Sequence, residues 1–126
     1  MTAKYNVIPR GNPSNPAAPV KYYPSFTSSG KMSLRQLAKE IAAMSTVSAV
    51  DTVAVLEAFL QIVPRELANG TIVELGDFGS FRLKIKSDGS PTPEAVTAKQ
   101  ITSIHPHFRP GKPFKQVIAQ TEFKRA

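Results

Sequence analysis

Apolar side chains recur along this chain at two different spacings, and the switch between them maps its elements. From Ser33 onward, Leu34, Leu37, Ala38, Ile41 and Ala42 fall three and four residues apart, with Arg35, Lys39 and Glu40 between them. That period predicts an amphipathic helix, opened by Ser33 and Gln36 at capping-box spacing. "STVS" interrupts it. Ser48 with Asp51 starts a second helix, which runs to about Ala68 and stops at Asn69-Gly70. This helix is apolar over a wide arc: Val50, Val53, Ala54, Leu56, Phe59, Leu60, Val63 and Leu67. One small domain rarely needs so broad a face, so part of it is expected to meet a second subunit. Pro64 removes the bond to the Leu60 carbonyl and predicts a kink that wraps the last turn around that partner.

Beyond Gly70 the period becomes two. "TIVEL" is followed by a Gly76-Asp77 turn and then by "FGSFRLKIK", where Phe81, Leu83 and Ile85 alternate with Arg82, Lys84 and Lys86. Such a strand has one apolar and one cationic face. Gly79, between two phenylalanines, suits a bulge or a close approach of backbones. "SDGSPTP" is a turn-rich tip, and "EAVTAKQITSI" returns as the opposing strand, so residues 82–86 and 96–104 form a two-stranded arm. "HPHFRPGKPFKQVIAQ" then turns through Pro110-Gly111 into a short helix, with Pro113 near its first turn and Phe114, Val117 and Ile118 on its apolar side. "TEFKRA" ends the chain as a further short strand through Phe123.

Residues 9–24 hold five prolines and cannot be helical; they read as extended or polyproline chain. The flanking "KYNVI" and "KYYPSF" are rich in strand formers, and each is expected as an edge strand, where proline is tolerated. A disordered tail is the other reading of the same composition. With 126 residues the chain has room for one domain and an appended segment, placed here at residues 31–126 and 1–30. Hydrophobic residues make up 41%, enough for a small core that a dimer would enlarge. The absence of cysteine excludes disulfides, thiolate metal sites and cysteine nucleophiles, and suits a reducing cytoplasm. The start "MTAKYNVIPRGNP" has no apolar signal region, and no run approaches ~20 apolar residues, so neither export nor membrane insertion is expected.

The net charge of +7 is unevenly placed. Residues 1–30 carry Lys4, Arg10 and Lys21 and no acid, whereas residues 31–77 hold four bases against six acids. Residues 81–115 hold Arg82, Lys84, Lys86, Lys99, Arg109, Lys112 and Lys115 against Asp88 and Glu94. A basic surplus outside the helices points to an anionic partner or to a solvated surface.

Catalytic chemistry has little support. Asp77-Phe78-Gly79 spells the magnesium-binding tripeptide of protein kinases, but the phosphate loop and the H-R-D element are missing. Asp77 therefore reads as a turn residue capping local N–H groups. His105 and His107 lie on one side of an extended segment; with no cysteine and no nearby carboxylate pair they read as polar residues that touch phosphate when protonated, rather than as metal ligands. No nucleophile, base and orienting group occur together. The expectation is a protein without enzymatic activity, metal, cofactor or small-molecule substrate.

The order helix, helix, hairpin, arm and a terminal helix entered through F-R-P-G-K resembles the HU and integration host factor family of bacterial DNA-bending proteins. "ANGTIVELGDFGSFRL" is similar to that family's A-x-G-x-x-V-x-L-x-G-F-G-x-F-x-V, and "FRPGKPFKQVI" to its F-K-P-G-K-x-L-K-x-x-V. The likeness covers roughly residues 33–119, and the proline-rich start and "LGDFG" look most like the longer HU-like proteins of Bacteroides and relatives. It implies an α+β fold: an intertwined homodimer with two N-terminal helices, a β-sheet saddle with a two-stranded arm, and a short C-terminal helix. The dimer core would comprise Val53, Leu56, Phe59, Leu60, Val63, Phe78 and Phe81. Double-stranded DNA would be held by Arg82, Lys84, Lys86, Lys99, Arg109, Lys112 and Lys115, with phosphate at "RPGK" and the start of the last helix.

The arm tip departs from the family. Its R-N-P wedge is replaced by "SDGSPTPEAV", which keeps Pro91 and Pro93 but adds Asp88 and Glu94. Pro91 or Pro93 as a DNA wedge is one reading; a plain turn proline is the one the residues favour. The resemblance implies a histone-like, largely sequence-independent DNA-binding protein of the bacterial cytoplasm that organises or condenses the nucleoid. The alternative is an HU-fold interaction or self-assembly module with weak or no DNA binding. RNA or general polyanion binding ranks third, because the arm lacks an aromatic stacking platform.

Overall fold

Helices α1 (Leu34–Ala43) and α2 (Ala49–Ala68) are set by local signals. Ser48 is extended, and its Oγ accepts the Asp51 backbone N–H at 3.1 Å, satisfying one of the free donors of the first turn. At the other end the Gly70 N–H bonds the Leu67 carbonyl at 2.9 Å and the Thr71 N–H bonds the Glu66 carbonyl at 3.0 Å. This paired closure needs a left-handed residue at Gly70, whose φ is 84°. The helix continues through Pro64 to Ala68.

A computed structural model describes residues 1–126, which divide into two units: residues 34–116, and residues 1–33 with 117–126. In the first unit α1 packs on α2, and α2 packs on strands β3 (Val73–Glu74) and β4 (Gly79–Ser87). Ala38, Thr52, Val63 and Leu67 are buried there. Elsewhere on α2, Val50, Val55, Phe59, Leu60 and Ile62 are exposed. No helix is long and apolar enough to cross a membrane.

β3, β4 and β5 (Ile101–Pro110) form an antiparallel sheet in that order. The return strand starts at Ile101, five residues later than the sequence pattern suggests. Pro93 opens a 3-10 turn over Pro93–Ala95, and Thr97 with Gln100 forms a capping box around a second turn over Ala98–Gln100. These local bonds outcompete the ladder between residues 93 and 100. The strand instead continues to Pro110; Pro106 and Pro110 are tolerated because β5 edges the sheet. Pairing skips a residue between Lys86 and Ser87, where the Thr102 hydroxyl donates to the Lys86 carbonyl at 3.2 Å.

The base of this ribbon is a backbone junction. Gly76–Phe78 forms a 3-10 turn, and the Gly111 N–H bonds the Phe78 carbonyl at 2.9 Å. A Cβ at Gly79 would stand 2.5 Å from the Arg109 carbonyl oxygen, so the close approach, rather than a bulge, explains this glycine. Asp77 sits in the turn as expected, but its carboxylate caps no N–H; its backbone makes the contact with Gly111. Phe78, Phe81, Phe108 and Phe114 fill the apolar side, with ring centroids 4.9–5.4 Å apart. Phe114 comes from α3 (Lys112–Ala119).

In the second unit, strands β1 (Thr2–Arg10), β2 (Lys21–Thr27) and β6 (Glu122–Arg125) pair in the order β2-β1-β6. β1 is thus a central strand, not an edge, because the chain's last residues pair parallel to it. The prolines between β1 and β2 are accommodated in turns closed by Asn15 N–H to Asn12 carbonyl (3.1 Å) and Ala18 N–H to Asn15 carbonyl (3.0 Å).

Candidate nucleic-acid interface

The register of β4 and β5 sorts the side chains of the ribbon onto two faces. Phe81 pairs with Phe108, Leu83 with Pro106 and Ile85 with Ile104. The intervening pairs are Ser80 with Arg109, Arg82 with His107, Lys84 with His105 and Lys86 with Ser103. Paired residues share a face of a pleated sheet, so one face collects Arg82, Lys84, Lys86 and Arg109 with both histidines. No carboxylate stands in this ladder. The one ion pair, Arg65 with Glu66 at 3.6 Å, lies on α2, so no ribbon cation is ion-paired to a carboxylate.

The sequence pattern missed how Arg109 and the histidines join this row. His105, His107 and Arg109 alternate with Ile104, Pro106 and Phe108, a period-two signal obscured by its prolines. With Lys84 and Arg82 directly across from them, the imidazoles face cations, which disfavours a metal ion there. His105 Nε2 lies 3.0 Å from the Ser103 hydroxyl.

At the ribbon base, Glu74, Ser80, Arg82, Arg109 and Gly111 line an open polar recess of about 320 Å³. Arg82 Nη2 donates to the Ser80 hydroxyl at 3.0 Å, while Arg82 Nε is buried without a partner. An unmet guanidinium donor costs free energy until an acceptor arrives. Lys112 and Lys115 follow in the first turn of α3, where the Lys115 N–H bonds the Gly111 carbonyl at 3.0 Å.

The tip is a closed loop. The Asp88 N–H bonds the Gln100 carbonyl at 2.9 Å, and the Gln100 side chain accepts from the Thr97 N–H at 2.7 Å and donates to the Ser90 hydroxyl. Lys99 sits in its second 3-10 turn, beyond the ladder; Pro91 and Pro93 are exposed within the loop. Of the apolar residues singled out for a dimer core, Val63 is buried, Val53, Leu56 and Phe81 are half-buried, and Phe59, Leu60 and Phe78 are exposed.

The family described as an HU domain fused to wHTH, Ig, or glycine-rich motif matches residues 1–125. A Bacteroides vulgatus protein proposed to bind DNA has a similar structure, with a TM-score of 0.65 at 14% identity over 98% of this chain. The chain spans 47% of that protein's length. Anabaena HU, crystallised with DNA, is similar with a TM-score of 0.56 at 24% identity, over 71% of this chain and 99% of that one. No curated protein sequence matches.

Proposed function

This chain belongs to the HU-HIG family, and we propose that it binds double-stranded DNA as a homodimer, largely without regard to sequence, in organising the nucleoid. The observation that carries this reading is the unneutralised ladder of Arg82, Lys84, Lys86 and Arg109. Alternate residues of a strand recur about every 6.8 Å, so successive cations of one strand can each meet a separate phosphate. Phosphate contacts hold the duplex without reading bases. Lys112 and Lys115 extend the contact from the ribbon base, and Lys99 adds charge near the tip. Anabaena HU, similar in fold, was crystallised with DNA, which supports the same partner. Pro91 and Pro93 act as turn residues in this account, and intercalation is not needed for affinity.

Homodimerisation rests on α2. A helix with Val50, Val55, Phe59, Leu60 and Ile62 in water leaves the chain without an adequate core, and a second copy supplies the missing layer. Val53, Leu56, Phe78 and Phe81 would complete that shared core.

Arg109→Ala and Arg82→Ala are each expected to weaken duplex binding equally for all sequences. Each should lower the slope of log K against log salt by about 0.9, whereas Lys39→Ala on α1 should leave it unchanged. Unchanged slopes for both ribbon variants would refute the assignment. One observation favours a second reading: Leu83, Ile85 and Ile104 are exposed on the other face of the arm, which suits a protein surface. A stable dimer without duplex affinity at low salt would favour it.

A further inference from the structure

The sheet β2-β1-β6 carries an aromatic surface that duplex binding by the ribbon does not use. Register places Tyr5 beside Phe26, Val7 beside Pro24, Pro9 beside Tyr22, and Ala3 beside Phe123. Tyr5, Tyr22, Phe26 and Phe123 therefore share one face, and with Val7 and Pro24 they line an open recess of about 510 Å³. Tyr22, Phe26 and Phe123 are 70%, 72% and 63% exposed. Rings left this open are available to a planar partner.

The charge around the face narrows what that partner is. Residues 1–33 and 117–126 carry six cations, Lys4, Arg10, Lys21, Lys31, Lys124 and Arg125, against one acid, Glu122. Glu122 pairs with Thr2, on the face opposite the aromatic rings, whereas Arg125 pairs with Tyr5 on the aromatic side. Lys21 pairs with Arg10 and Lys124 with Lys4, both on the opposite face, so Arg125 is the cation of the aromatic face. A second copy of the chain would bring its own surplus of positive charge to the contact. A polyanion with planar apolar groups satisfies both features.

We propose that this face is a stacking platform for the unpaired bases of a single-stranded nucleic acid, with Arg125 meeting its phosphates and the basic surplus of the sheet attracting the strand. Every base has a π-face, so such a platform tolerates any sequence, and each ring contributes about tenfold to affinity. The platform lies on the two ends of the chain, not on the arm. It gives the protein a second nucleic-acid activity, separate from its duplex contact and testable apart from it.

The chain has three tyrosines, Tyr5, Tyr22 and Tyr23, all in this sheet, and no tryptophan. Tyrosine emission therefore reports on this sheet, with Tyr5 and Tyr22 on the platform and Tyr23 on the other face. Titrating the full chain with oligothymidylate or oligouridylate of about 15 nucleotides at ~50 mM salt should quench that emission to saturation. The stronger of the two identifies DNA or RNA as the preferred strand, while a duplex bound at the ribbon should leave the emission unchanged. Tyr22→Leu with Phe26→Leu keeps the apolar bulk and should weaken oligothymidylate binding about tenfold or more, without altering duplex affinity. Three results would overturn the proposal: no binding of either oligonucleotide, binding without quenching, or full affinity in a folded double variant. Emission that changes on dilution of the protein, and not on adding oligonucleotide, would assign the face to a second copy and overturn it too. The quenching arm uses the unaltered protein, so it stands even if the double variant misfolds.

Discussion

Gly111→Ala is expected to destabilise the protein by about 3 kcal/mol or more, because the added carbon has nowhere to go. It would lie 1.9 Å from the Asp77 carbonyl oxygen and 2.7 Å from the carbonyl carbon. Both are backbone atoms, so no change of rotamer relieves the clash. Relief requires the end of β5 to part from the Gly76–Phe78 turn, which breaks the 2.9 Å bond from the Gly111 N–H to the Phe78 carbonyl. It also pulls apart the Phe78, Phe108 and Phe114 rings, packed at 5.1–5.4 Å. Gly89 at the tip has open space around it, so Gly89→Ala should change stability by less than about 0.5 kcal/mol. In thermal unfolding the Gly111 variant should lose about 10 °C or more in Tm. A Tm within about 2 °C of the parent would show that the junction is not tight.

Leu60→Ala separates a single-chain core from a shared one. Leu60 is 52% exposed in the single chain, so truncating it in a monomer should cost only about 1 kcal/mol. Buried between two copies of α2, the same truncation should cost roughly 2–5 kcal/mol. The loss should appear as dissociation: the midpoint of unfolding becomes strongly dependent on protein concentration. Analytical ultracentrifugation of both proteins across a concentration series checks this. A monomeric parent, or a variant with full dimer stability, would remove α2 from the shared core.

The helices were legible because their signals are local. Ser48 caps the first turn of α2 and Gly70 supplies the positive φ after its last, so both boundaries lie within a residue of the sequence pattern. β4 was legible by its alternation of apolar and cationic residues. β5 was misplaced at its start because Pro93 and the Thr97–Gln100 box stabilise turns within a segment that also has strand character. Whether β1 is an edge or a centre depends on Glu122–Arg125, from the opposite end of the chain, and no local pattern carries that information. The ribbon cations were legible as residue types. Their convergence with His105, His107 and Arg109 depended on the pairing register. The aromatic face is not legible in sequence for the same reason: Tyr5, Tyr22, Phe26 and Phe123 are scattered along the chain and meet only through two sets of strand pairs.

Phosphate recognition by the β4–β5 ribbon carries the proposed function. Fluorescence anisotropy of a labelled duplex of about 30 base pairs, titrated at several salt concentrations, tests it most directly. Four ribbon cations per chain predict affinity that falls steeply and linearly in log–log form, with a slope of about −4 for one ribbon and about −7 for a dimer using both. Affinity that does not change with salt, or no binding at the lowest salt, would contradict the phosphate ladder and with it the proposed function.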